Sequence, residues 1–114
     1  MMLVSFAADA RQHWGMTAPG GVLALSDQFP QWRTLRNVIE AEAIATVLAA
    51  GKGRTASHPD GSFTYDPPIP DPEKIICVGV NFPDRNAEYK DGQDAPPNMS
   101  LFIRFPRSFT GHGQ

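Results

Sequence analysis

From Met2 to Ala8 the chain alternates well enough for a strand, with Ser5 its one polar residue among apolar ones. Asp9-Ala10-Arg11 predicts a turn into a second strand over His13-Trp14-Gly15-Met16-Thr17. Ala18-Pro19-Gly20-Gly21 predicts a tighter turn into Val22-Leu23-Ala24-Leu25. Three short strands joined this way make an antiparallel meander, with Phe6, Trp14 and Leu23 expected on its apolar face. So small a sheet is marginal alone, and something must lie against it.

The period then changes. Leu35, Val38, Ile39, Ala43 and Val47 recur at helical spacing, and Ile44 and Leu48 widen the stripe. Thr34 is the expected N-cap, Gly51 and Gly53 the stop, and the wide stripe suggests a break near Glu42 that yields two short helices. Residues 51–62 have loop composition, and Phe63-Thr64-Tyr65 predicts one more short strand. Four prolines then fall within Asp66-Pro67-Pro68-Ile69-Pro70-Asp71-Pro72, which favours a stiff, extended connector and a domain boundary. Beyond it, Ile75 to Phe82 predicts a strand, Pro83 to Lys90 a helix opened by its proline, residues 91–98 a loop, and Ser100 to Phe105 a second strand. The expected fold class is α+β, mostly β: a small N-terminal antiparallel meander with helices, then a strand-helix-strand.

Length and composition bound what such a chain can be. The 114 residues, 41% of them hydrophobic, suffice for one modest domain or for a small one and part of another. A net charge of −2 gives no global attraction to nucleic acid or to an anionic membrane. One cysteine excludes an internal disulfide, and no apolar run approaches the ~20 residues that cross a bilayer. The N-terminus carries no basic stretch followed by a long apolar one, so the expected location is cytoplasmic. A strand-helix-strand of ~40 residues encloses too little surface to be a domain, and the sequence has the look of one cut short.

The stretch where Val78-Gly79-Val80-Asn81 empties into Phe82-Pro83-Asp84-Arg85-Asn86-Ala87-Glu88 is where polar side chains would meet the mouth of a pocket. With Ser100-Leu101-Phe102-Ile103-Arg104-Phe105-Pro106, it resembles the start of the catalytic domain of the fumarylacetoacetate hydrolase family. The usual pattern there is Val-Gly-x-Asn-Tyr-x-Asp-His-x-x-Glu, then an apolar strand ending in Phe-Leu-Lys. Leu3-Val4-Ser5-Phe6, Trp14-Gly15 and the proline-rich lead-in resemble the small N-terminal domain of many bacterial members. The resemblance implies a small β/α domain over residues 1–66, a connector over 67–73 and, over 74–114, the opening of a mixed β-sandwich or roll that is incomplete.

The resemblance also implies chemistry. Members use Mg²⁺ or Mn²⁺, held by a Glu-x-Glu pair and a later Asp, to bind the oxygens of a small 2-oxo dicarboxylate, and they act as hydrolases, isomerases, decarboxylases or lyases in aromatic-compound catabolism. Hard cations of this kind take oxygen ligands. None of those three ligand positions falls within these residues, so no metal is expected on this chain alone. Many members also carry a His and a Glu one helical turn apart that activate water or move a proton. Glu88 stands at the Glu position, but Arg85 replaces the His. Arginine stays protonated and cannot act as a base, although it can clamp a carboxylate or pair with Glu88. Arg104 replaces the family lysine and could hold substrate carboxylate through two parallel hydrogen bonds. A homodimer is implied, as is common in the family.

Other residues offer less. Asp84, Glu88, Asp91 and Asp94 lack the spacing of a calcium loop. Cys77 lies between Ile76 and Val78 and has the setting of a small buried hydrophobe. His13, His58 and His112 are scattered in sequence without a partner at metal-ligand spacing. Two functions of different class therefore stand open: the N-terminal portion of a metal-dependent enzyme, or a non-catalytic truncated β domain that acts through protein contacts or has no function alone.

Overall fold

A computed structural model describes residues 2–79 and 98–114. The fold is α+β and mostly β, and the chain divides into two compact units, residues 1–71 with 109–114, and residues 72–108.

The first unit is an antiparallel sheet in the order β4-β3-β2-β1-β5. Its meander is β1 (Leu3–Ala8), β2 (Arg11–Ala18) and β3 (Gly21–Ala24). Ala8 pairs with Arg11, so Asp9 and Ala10 alone turn the chain, and both take positive φ, 50° and 59°. Two left-handed residues give the turn whose twist matches that of the flanking strands, at some cost because neither is glycine. The next turn is Pro19-Gly20, where a proline presets one residue and Gly20 supplies φ 77° for the other. The expected last strand is present as β5 (Thr64–Asp66), on the free side of β1. Within the predicted loop 51–62 the chain also forms β4 (His58–Pro59), a two-residue strand against β3 that no alternation in the sequence announced.

The helices fall where the pattern placed them. Thr34 caps α1 (Leu35–Glu40) reciprocally, accepting from the Asn37 N–H while the Asn37 side chain accepts from the Thr34 N–H. The expected break is at Glu42, whose φ of 53° ends the first helix before α2 (Ile44–Gly51) begins. That break resets the helical phase. Ile39 and Ile44, counted in one apolar stripe from sequence, are instead 47% and 40% exposed.

Phe6, Trp14 and Leu23 do not share a face. Register pairs Ser5 with Trp14 and Phe6 with His13, so Phe6 and Trp14 point to opposite sides of the sheet. The helix side buries Trp14, Met16, Leu23, Leu25, Leu35, Val38 and Val47 as one cluster. Trp14 also donates its indole N–H to the Trp32 carbonyl at 2.8 Å, which satisfies its one polar atom. The other side buries Phe6, Ala8 and Val22 beneath Phe63 and Tyr65. Both faces of a sheet this short are covered.

The second unit is a two-stranded antiparallel ribbon, β6 (Ile76–Gly79) with β7 (Ser100–Ile103), followed by a single 3₁₀ turn at Pro106–Ser108. Its side chains alternate, placing Ile76, Val78, Leu101 and Ile103 on one face. All four are 47–70% exposed.

Candidate functional site

The ribbon carries the candidate site. Arg104 follows β7 directly and extends the ladder by one bond, its N–H donating to the Ile75 carbonyl at 3.1 Å. The chain then turns at Pro106–Ser108, where the Ser108 N–H and hydroxyl both donate to the Phe105 carbonyl, at 2.9 and 2.7 Å. Strand start and strand end thereby border one cavity of about 310 Å³, lined by Glu73, Lys74, Ile75, Arg104, Phe105 and Pro106 among others. Its lining includes two cations, Lys74 and Arg104, and one carboxylate, Glu73. The rest of the lining is aliphatic and aromatic, so the cavity could take a small anion with a short carbon skeleton. Lys74 was not singled out from sequence; its signal was that it stands one residue before Ile75, the cross-strand neighbour of Arg104.

Arg85 and Glu88 lie outside the described residues, as do Asn81 and the predicted helix from Pro83. Cys77 is a free thiol and only partly buried, in contrast to the fully enclosed setting expected for it. A ribbon of two strands has too little above and below it to bury either face. Among the described residues no group of three or more His, Cys, Asp or Glu could hold a metal ion. The described acids therefore do not gather into a site for Mg²⁺ or Mn²⁺.

The sheet unit gathers polar groups that the sequence left apart. His13 and His58, forty-five positions distant, come to 5.5 Å between ring centroids, and both rings lie against Phe6. His58 reaches Asp9 through Nε2 at 3.6 Å and the Ser57 hydroxyl through Nδ1 at 3.0 Å. This is not a nucleophile and its base, because the Ser57 oxygen already receives the Ala24 N–H at 2.9 Å and serves to pin β3. His13 is buried, shares a hydrogen bond with the Ser26 hydroxyl at 3.2 Å and leaves Nε2 without a partner. Only register could have revealed this cluster, since it places Phe6 opposite His13 and Val22 opposite His58.

A second cavity, of about 380 Å³, opens on the helix side between Ser5, Gln12, Arg33, Thr34 and Asp66. Asp66 is partly buried and its Oδ2 has no hydrogen-bond partner. Burial pushes this carboxyl above its ordinary value of 3.8, and a hydrogen bond from Gln12 opposes the rise. Glu40 moves the other way, held low by the hydrogen bond from Arg36 and a second from Asn37.

No protein-family model matches the chain. It is similar to oxaloacetate tautomerase YisK of Bacillus subtilis (strain 168), with 39% identity over 61 aligned positions that cover 46% of this chain and 20% of that protein. That relative is a member of the fumarylacetoacetate hydrolase family, so the similarity supports the resemblance at low coverage. The match spans about a fifth of the relative's length. No helix among the described residues is long and apolar enough to cross a membrane.

Proposed function

We propose that this chain supplies the opening part of a fumarylacetoacetate-hydrolase-type enzyme that interconverts keto and enol forms of a small 2-oxo dicarboxylic acid. The similarity to a tautomerase carries this reading. Residues 1–66 form its small domain, 67–73 its connector and 74–114 the start of its catalytic domain. Arg104, with Lys74 beside it, holds a substrate carboxylate by charge-assisted hydrogen bonds. Glu88 takes the proton from the carbon next to the carbonyl, and the oxygen that gains the electron pair is protonated in turn.

Arg85 favours tautomerisation over hydrolysis. A hydrolase must activate water, for which the family pattern uses a His that this chain replaces with a permanent cation. An isomerase needs only one proton carrier and a fixed substrate. A divalent ion would stabilise the enolate charge when bound, and the family resemblance puts its carboxylates outside these residues.

The test is an assay of the polypeptide encoded by the complete reading frame with enol oxaloacetate, following loss of enol absorbance in the presence of Mg²⁺ or Mn²⁺. Acceleration is expected, with Arg104→Ala raising KM more than it lowers kcat. Absence of a Glu-x-Glu and a later Asp from the frame, together with no acceleration, would overturn the proposal in favour of a non-catalytic β domain. The 114-residue chain by itself is expected to show no Mg²⁺-dependent change in melting temperature.

A further inference from the structure

The proline-rich stretch after β5 and residues 109–114 enclose a hollow on the sheet unit. A Cβ on Gly111 would land on the Tyr65 carbonyl, so only glycine lets the backbone sit there. The Gln114 side-chain amide donates to that same carbonyl at 3.0 Å. Inside this wall lies a cavity of about 410 Å³, bordered by Met2, Val4, Tyr65, Pro67, Pro68 and His112 among others.

The lining is largely apolar, with aromatic sides. The Tyr65 and His112 rings meet edge to face, their centroids 5.8 Å apart. Two hydroxyls at the border are already engaged: Ser5 donates to the Pro68 carbonyl at 2.8 Å, and Thr17 accepts from the Met2 N–H at 2.9 Å. Asp66 is different. Gln12 donates to its carboxyl, yet Oδ2 is enclosed and has no hydrogen-bond partner. A carboxylate in that setting is destabilised until a donor or a positive charge stands beside it.

Charge decides the sign of the ligand. Neither lysine nor arginine is among the described residues that border this cavity, whereas the ribbon cavity carries Lys74 and Arg104. The two hollows therefore select opposite ligands. An anion beside Asp66 would be repelled, and a neutral ring would leave the carboxyl as it is. A ring joined to an ammonium meets both demands. The ring packs among Met2, Val4, Pro67 and Pro68, and the positive charge lies near Asp66 with the face of Tyr65 as a second attraction.

We propose that this cavity is a binding site for a small aromatic amine. Asp66 supplies the counter-charge, and Tyr65 and the two prolines supply the apolar walls. The site is independent of the tautomerase reading, because no residue of the ribbon takes part in it.

The test uses the full chain and 2-phenylethylamine at about pH 8, where an alkyl amine is charged and free imidazole is not. 2-Phenylethanol and 3-phenylpropionate serve as neutral and anionic molecules of similar shape. Binding is read by calorimetry and by NMR shifts of the Tyr65 and His112 rings. The amine should bind with a Kd of about 1 mM, in keeping with its few atoms, the alcohol about tenfold more weakly and the acid more weakly still. Asp66→Asn keeps the shape and removes the charge, so it should bring the amine to the level of the alcohol and leave the alcohol unchanged. Met2→Lys, at a border position that is 66% exposed, should weaken the amine several-fold through like charge without touching the core. Absence of a saturable shift at Tyr65 and His112 would overturn the proposal. So would equal affinity of wild type for amine and alcohol, or amine binding that either substitution leaves unchanged, because charge at Asp66 would then not be what the ligand meets.

Discussion

The sheet unit and the ribbon are built from similar strands, yet one has its apolar side chains buried and the other has them in water. β2 places Trp14 and Met16 at 0% and 1% exposure, whereas β7 leaves Leu101 and Ile103 more than half exposed. Strand propensity is not what separates them. Trp14 has two helices to pack against and β1 has a second layer in Phe63 and Tyr65, while no described residue covers Ile76, Val78, Leu101 and Ile103. A strand is stabilised by what lies across its faces, and sequence alternation reports only which face is available.

That contrast predicts very unequal responses to the same truncation. Trp14→Ala removes the largest fully buried side chain and strands the Trp32 carbonyl, so it should cost about 3–5 kcal/mol and unfold the sheet unit well below the wild-type melting temperature. Ile103→Ala removes a side chain that is 70% exposed and should cost under ~0.5 kcal/mol. Parallel thermal melts followed by tryptophan fluorescence would measure both. Comparable losses would mean the ribbon is as well packed as the sheet.

A smaller effect probes how the helices reach the sheet. Thr34→Ala deletes the hydroxyl that accepts from the Asn37 N–H, and should cost about 1 kcal/mol in denaturant unfolding. Thr34→Ser should retain most of that stability. If alanine is neutral, α1 is positioned by Leu35 and Val38 alone.

The Asp66 carboxyl gives the sheet unit a signed test. Its folded state holds the proton to higher pH than the unfolded chain does, so between 3.8 and the raised folded value the native state binds more protons. Stability from this group is therefore lost as pH rises through that window, and below 3.8 both states are protonated and the contribution is flat. Melts across acidic pH should show Asp66→Asn missing this downward slope, with its advantage over wild type greatest at neutral pH. The lowered Glu40 carboxyl contributes with the opposite sign in both proteins and cancels in the difference.

How much of this was legible in advance follows from range. The Thr34 cap, the break at Glu42 and the Asp9-Ala10 turn were readable because their causes lie within a few residues of one another. The split of Phe6 from Trp14 was not, because it depends on which residue of β2 faces Phe6, and a one-residue change of register exchanges the faces. The His13–His58 contact and β4 were hidden for the same reason: each exists only once β3 is in place. In the candidate site Arg104 was singled out through the resemblance, as the residue standing where that family has a lysine. Lys74 required the pairing of Ile75 with the strand end.

The smallest expected change in stability is also the sharpest probe of the ribbon. Leu101→Lys paired with Ile103→Lys places two like charges on its bare apolar face, two residues apart on one strand. If that face is open to water, neither charge is desolvated, and the melting free energy of the sheet unit should move by less than ~0.5 kcal/mol. Solubility should rise, because a contiguous exposed apolar patch drives association and charge on it opposes that. The measurement is the concentration at which light scattering departs from that of a monomer. A large loss of stability would show that the face is covered in solution, in which case the two units differ only in what covers them and β7 belongs to a core as fully as β2 does.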